Sequence, residues 1–172
     1  SYQDAAGSIA CFECGVGTFG PDLRATNAAS CQDCDAGRYN GYTGESKAYA
    51  CVLCPPGTAN SQAGSGSKAA CYACSGGTFA AISGSATCTA CADGSYSLDS
   101  VSGAYECTAC PANTFQDPTR SKSSASSCVA CPTGYGSPAG SYGATSCTKQ
   151  DNPCTEGQGW YRPEAGIDAS CA

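Results

Sequence analysis

The chain of 172 residues carries 17 cysteines, 22 glycines and 9 prolines, with 8 basic against 14 acidic side chains and a net charge of −6. Leucine occurs only at Leu23, Leu53 and Leu98 and isoleucine only at Ile9, Ile82 and Ile167, so no ordinary aliphatic core can form and the cysteines are the candidates to replace it. The acidic balance has the wrong sign for a nucleic-acid partner, and no apolar run approaches the roughly 18 residues needed for a membrane-spanning segment.

Residues 1–10 read as an N-terminal lead, with neither the basic flank nor the apolar stretch of a signal peptide. A chain that starts at Ser1 and contains no methionine is expected to be a matured product or a piece of a longer polypeptide. From Cys11 a repeat takes over. The pairs Cys11/Cys14, Cys31/Cys34, Cys51/Cys54, Cys71/Cys74, Cys88/Cys91, Cys107/Cys110 and Cys128/Cys131 recur every 17 to 21 residues. Residues 11–147 therefore form a tandem array, and 148–172, where Cys147, Cys154 and Cys171 lie further apart, form a variant terminal repeat.

Within each unit the third residue after the second cysteine is Gly17, Gly37, Gly57, Gly77, Gly94, Asn113, Gly134 or Gly157. Glycine with one asparagine substitute predicts a left-handed turn position that reverses the chain. Two residues later stand Phe19, Tyr39, Phe79, Tyr96 and Phe115, with Ala59 and Gly136 as exceptions and Trp160-Tyr161 displaced in the last unit. One ring per unit, laid over a disulfide or the next turn, is the expected apolar contact of the stack, and a ligand-binding aromatic row is the alternative. The remaining residues, such as Ser61 to Ala70 and Ser121 to Ser127, have loop composition. Strands of two to four residues should flank each turn, with each unit touching mainly its two neighbours.

Two pairing schemes fit the spacing. In one, the second cysteine of a unit bonds the first of the next: Cys14–Cys31, Cys34–Cys51, Cys54–Cys71, Cys74–Cys88, Cys91–Cys107, Cys110–Cys128, Cys131–Cys147 and Cys154–Cys171. In the other, successive pairs make four-cysteine zinc sites. Zinc sites would make loops within and between sites alternate in length, whereas the intervening lengths run 16, 16, 16, 13, 15, 17, 15 and 16. Disulfides are preferred, and they require an oxidising compartment, hence an extracellular or cell-surface location. Redox catalysis by Cys-x-x-Cys lacks the helical setting it needs. Cys11 is left over, either unpaired or wired locally, or bonded to an upstream unit or another subunit. The fold class expected is small and disulfide-rich: an elongated array of about 20-residue Cys-x-x-Cys repeats with short β-hairpins and little or no helix.

The motif Cys-x-x-Cys-Pro-x-Gly-Thr-Tyr/Phe followed by a serine- and glycine-rich loop, closest at Cys54-PPGT, Cys110-PANTF and Cys131-PTGY, resembles the cysteine-rich repeats of Eph-receptor ectodomains and the first half-module of tumour necrosis factor receptors. Long arrays of this kind are also similar to those in ciliate surface antigens and protist flagellar appendages. The resemblance covers Cys11 to Cys147 and implies disulfide ladders, extracellular placement and structural or binding roles without enzymatic activity.

The inventory agrees with a non-enzyme. Histidine is absent, so no Ser-His-acid triad exists, and pairs such as Asp33/Asp35 or Glu156/Glu164 read as solvated loop charges. No cofactor and no metal is called for. No Asn-x-Ser/Thr sequon occurs, which leaves O-linked glycans on serine, threonine or the Pro55-Pro56 pair as the expected sugars. The leading expectation is a structural repeat protein that self-associates into a filament, fibril, surface coat or mastigoneme-like appendage. A ligand-binding ectodomain is the alternative. Trp160, Tyr161 and Arg162, which break the pattern in the last unit, are the interface candidates.

Overall fold

The computed structural model describes residues 13–20, 28–98, 100 and 103–150. Within them the chain is a succession of two-stranded antiparallel sheets: Thr18–Phe19 with Gln32–Asp33, Arg38–Tyr39 with Val52–Leu53, Thr58–Ala59 with Tyr72–Ala73, and Thr78–Phe79 with Thr89–Ala90. Ser95–Tyr96 with Thr108–Ala109, Thr114–Gln116 with Cys128–Ala130, and Tyr135–Gly136 with Thr148–Lys149 complete the set. The described helical elements are five three-residue 3₁₀ turns, at Ala28–Ser30, Ala48–Ala50, Lys68–Ala70, Ala125–Ser127 and Ala144–Ser146. Each lies just before the first cysteine of the next unit. Two of them are capped by serine, Ser67 Oγ accepting from the Ala69 amide and Ser124 Oγ from that of Ser126. Small, disulfide-rich and strand-based, the array has the fold class expected from the sequence.

Strands flank each turn from Gly37 to Gly134, yet the two that flank one turn belong to different sheets. Gln32–Asp33 pairs backwards with Thr18–Phe19, and Arg38–Tyr39, after the Gly37 turn, pairs forwards with Val52–Leu53. Each hairpin thus closes across the long loop between its strands, and the turn hands the chain on to the next sheet. The turn itself has a fixed chemistry. Gly17 sits at φ 81°, and the Thr18 amide donates to the Gly15 carbonyl at 3.2 Å. A positive φ at the third residue is the type II requirement, met by glycine in all but one described unit and by Asn113 at φ 64° in the other. The hydroxyl that follows locks the turn: Thr18, Thr58, Thr78, Ser95 and Thr114 each donate to the carbonyl three residues back, at 2.6 to 2.8 Å.

The exceptions in the aromatic column prove to be compensated. Ala59 lies opposite Tyr72 in its strand pair, so this sheet carries its ring on the other strand. Gly136 and Asn113 explain each other. A Cβ on Gly136 would lie 2.7 Å from Asn113 Oδ1, so the asparagine that replaces a turn glycine occupies the space a ring would need.

Candidate functional site

The recurring feature of the chain is the junction between units, built from cysteines, backbone and one buried column of side chains. The disulfides come first. Cys14–Cys31, Cys34–Cys51, Cys54–Cys71, Cys74–Cys88, Cys91–Cys107, Cys110–Cys128 and Cys131–Cys147 are bonded, with Cα–Cα separations of 5.5–5.8 Å. The second cysteine of a Cys-x-x-Cys pair is the more deeply placed in most units: Cys34, Cys54 and Cys110 are at 0% exposure and Cys74 at 1%, whereas Cys131 is half-buried like Cys128. Among the described residues no cluster of histidine, cysteine, aspartate or glutamate is arranged to hold a metal. Cys11, Cys154 and Cys171, with Trp160, Tyr161 and Arg162, lie outside the described residues.

The interior between disulfides is polar, which the sequence reading did not foresee. Phe19, Tyr39, Phe79 and Tyr96 are only half-buried, Phe115 alone of the column's rings being buried, and the position buried in every described unit is the next residue along: Gly20, Asn40, Asn60, Ala80, Ser97, Gln116 and Ser137. The rings are therefore not the centre of the stack. The reason lies in the backbone, whose amides and carbonyls meet at each junction away from water and need partners there.

Those partners follow one pattern. The turn glycine of a unit donates its amide to the buried-column carbonyl of the next: Gly17 to Asn40, Gly37 to Asn60 and Gly57 to Ala80, at 2.7–2.8 Å. The buried-column amide donates to the following loop: Asn40 to Ser65, Asn60 to Ser85 and Gln116 to Ser141, at 2.8–3.1 Å. A second glycine in that loop donates back to the carbonyl of a buried cysteine: Gly44 to Cys14, Gly64 to Cys34, Gly84 to Cys54 and Gly140 to Cys110, all at 2.8 Å. The column's side chains add a fourth bond. Asn40 Nδ2 donates to Thr18 O at 2.9 Å and Asn60 Nδ2 to Arg38 O at 2.8 Å. Ser97 Oγ donates to Thr78 O at 2.9 Å and Ser137 Oγ to Thr114 O at 2.6 Å.

Contact also reaches beyond nearest neighbours, contrary to the expectation from the repeat pattern. A Cβ on Gly17 would collide with the carbonyl oxygen of Gly64, two units on, and one on Gly37 with that of Gly84. Loops of 16 residues are long enough to arch over the next unit and rest on the turn beyond it. Glycine is thus required at the turn by close approach as well as by φ.

The glycine bond is not universal: the Gly103 amide donates to Ser100 O instead, and the Cys91 junction uses a lysine. Lys122 stands where other loops place the glycine amide, and its ammonium donates to Cys91 O at 2.9 Å and Asp93 Oδ1 at 2.7 Å. Nearby, the Thr119 hydroxyl and amide, with Arg120, hold the half-buried Asp117 carboxyl below its ordinary value of 3.8. No helix of the described residues is long and apolar enough to cross a membrane.

Residues 76–126 match the family described as tyrosine-protein kinase ephrin type A/B receptor-like. That stretch runs from the Gly77 turn through the Cys91–Cys107 bond to the loop before Cys128, and the same turn, bond and hairpin recur on both sides of it. The chain has no match among curated proteins.

Proposed function

We propose, from an array whose residues 76–126 carry the ephrin-receptor-like repeat, that this chain is a non-enzymatic structural segment of an extracellular assembly: a filament, surface coat or flagellar appendage of the mastigoneme kind. Seven consecutive disulfides fit an extracellular or cell-surface protein. The observation that carries the structural reading is the sameness of the junctions. The bond from turn glycine to buried-column carbonyl has the same donor and acceptor positions at Gly17, Gly37 and Gly57, so nothing in the pattern limits how many units can be stacked. The junction bonds distribute the same chemistry along the length of the array, as stacking of equivalent units requires.

Self-association and O-linked sugars on the exposed serine and threonine loops belong to the same proposal. Negative-stain electron microscopy of native material tests the first: regular fibres with an axial repeat are expected, and dispersed single chains would reject it. Intact mass tests the second. A mass above that of the sequence less its disulfide hydrogens is expected, and equality would remove the sugars from the account.

A further inference from the structure

The repeats act as an internal control, because a residue that the scaffold needs recurs at equivalent positions, while one that departs in a single unit answers to something else. The second unit departs at several positions together. Asp33 stands where units three to seven have Leu53, Ala73, Ala90, Ala109 and Ala130, the first unit alone sharing an acid there, Glu13. Asp35 stands where they have Pro55, Ser75, Ala92, Pro111 and Pro132, and Arg38 where they have Thr58, Thr78, Ser95, Thr114 and Tyr135. Tyr49, two residues before its cysteine, corresponds to Ala29, Ala69, Ala86, Ser126 and Thr145, and to a second tyrosine, Tyr105, which does not line the groove described next.

The fold gathers these substitutions into one place. An open groove of about 400 Å³ is lined by Phe19, Gln32, Asp33, Asp35, Arg38 and Tyr49. Its size lies in the range of small-ligand sites. Arg38 is held across it, with Nη1 donating to Cys51 O at 3.1 Å. Gln32, Asp33 and Asp35 are exposed, and their side chains form no hydrogen bond or ion pair with the described residues. Tyr49 is 80% exposed, a ring held in solvent at the edge of the groove.

We infer that this groove is a binding subsite for a single pyranose ring, neutral or bearing an amino group. Phe19 and Tyr49 offer flat apolar faces to the C–H face of a sugar. Two carboxylates, an amide and a guanidinium offer planar pairs of acceptors and donors suited to vicinal hydroxyls. An apolar ligand would leave these polar groups dehydrated without partners. A uronate, sulfate or phosphate would meet two carboxylates against one guanidinium, so anionic sugars are disfavoured.

The test uses the full oxidised chain produced without glycosylation, titrated with methyl glucoside, methyl mannoside, methyl galactoside, N-acetylglucosamine, glucosamine and glucuronate, and followed by saturation-transfer NMR and by the Tyr and Phe ring resonances. Saturable binding of at least one neutral or amino pyranose is expected, with glucuronate weaker. The quadruple variant Asp33→Ala, Asp35→Ser, Arg38→Thr, Tyr49→Ala installs residues that other units already carry, and should lose affinity by at least about tenfold. Tyr49→Ala alone, an exposed position, should weaken binding in the same direction, while the exposed Tyr105→Ala, outside the groove, should bind as the native chain does. No saturable binding across the panel, or equal binding by the native chain and Tyr49→Ala, would overturn the assignment.

Discussion

Asn60 offers the sharpest test of the polar interior. Its side chain is at 1% exposure, with Nδ2 donating to Arg38 O of the preceding unit at 2.8 Å and Oδ1 accepting from the Gln62 amide at 3.0 Å. Replacement by alanine deletes both bonds without overfilling anything, since Ala80 occupies the equivalent place at 3% exposure. The Arg38 carbonyl is then left without that partner inside the junction, which costs about 1–3 kcal/mol, and loss of the Asx turn at Gln62 adds roughly 1 kcal/mol. The total for Asn60→Ala is therefore about 2–4 kcal/mol. In a stacked array the damage should be local, so amide hydrogen exchange with disulfides intact is the proper assay. Protection should fall for the Gly37 and Asn60 amides, which bond across the flanking junctions, while the Asn113 amide, several units away, keeps its rate. Asn60→Ser should restore part of the loss, because Ser97 and Ser137 hold the equivalent place in other units and each donates to the preceding unit's carbonyl. Unchanged exchange at Gly37 in Asn60→Ala would refute the idea that buried side chains staple one unit to the next.

Three further outcomes follow from the same geometry. Gly37→Ala should destabilise its junction by several times more than Gly134→Ala: both sit at positive φ, worth about 1–2 kcal/mol each, but only the first drives a Cβ into the Gly84 carbonyl, and nothing lies within 4 Å of the second. Comparison of denaturant midpoints of the oxidised variants checks this, and equal losses would count against it. Lys122→Met removes the ammonium bonds to Cys91 O and Asp93, and should speed exchange of the Ser97 amide by a factor corresponding to about 1 kcal/mol. An unaltered Ser97 rate would show that the lysine is not a substitute for the loop glycine. Asp117, whose carboxyl is held below 3.8 in the folded chain, contributes stability that is present above its unfolded value and fades as pH falls through the folded one. The Thr119 amide resonance should report that acid step in the native chain and lack it in Asp117→Asn.

The pairing of loops, the turn column and the shortness of the strands were legible because each is written as a spacing. Cys34 to Cys51 and Cys54 to Cys71 enclose the same length, and Gly37 and Gly57 stand at the same offset. The buried column was not legible in the same way. Asn40, Ala80, Ser97 and Gln116 share no hydropathy, and a reader expecting apolar interiors passes from Tyr39 or Phe79 into what looks like loop. What unites them is the need of backbone groups at the junction for partners, which an amide or hydroxyl can meet and which a small residue at least does not obstruct. The reach of a loop across two units was also hidden, since sequence repetition gives the period of a stack but not how far each loop extends over it. The groove beside Tyr49 was missed for a related reason: the pair Asp33/Asp35 read as solvated loop charge, and it gained meaning only when the fold set Arg38 and Tyr49 beside it.

Everything in this account depends on covalent closure of each loop onto the next unit, worth roughly 3 kcal/mol per loop of this size in the chain-entropy view. Non-reducing peptide mapping of the native protein, with thiols blocked before digestion, tests it most directly. The predicted result is linkage of Cys34 to Cys51, Cys54 to Cys71 and Cys74 to Cys88, with no blocked thiol at any of them. Bonds within a Cys-x-x-Cys pair, bonds that skip a unit, or free thiols released together with zinc would contradict it.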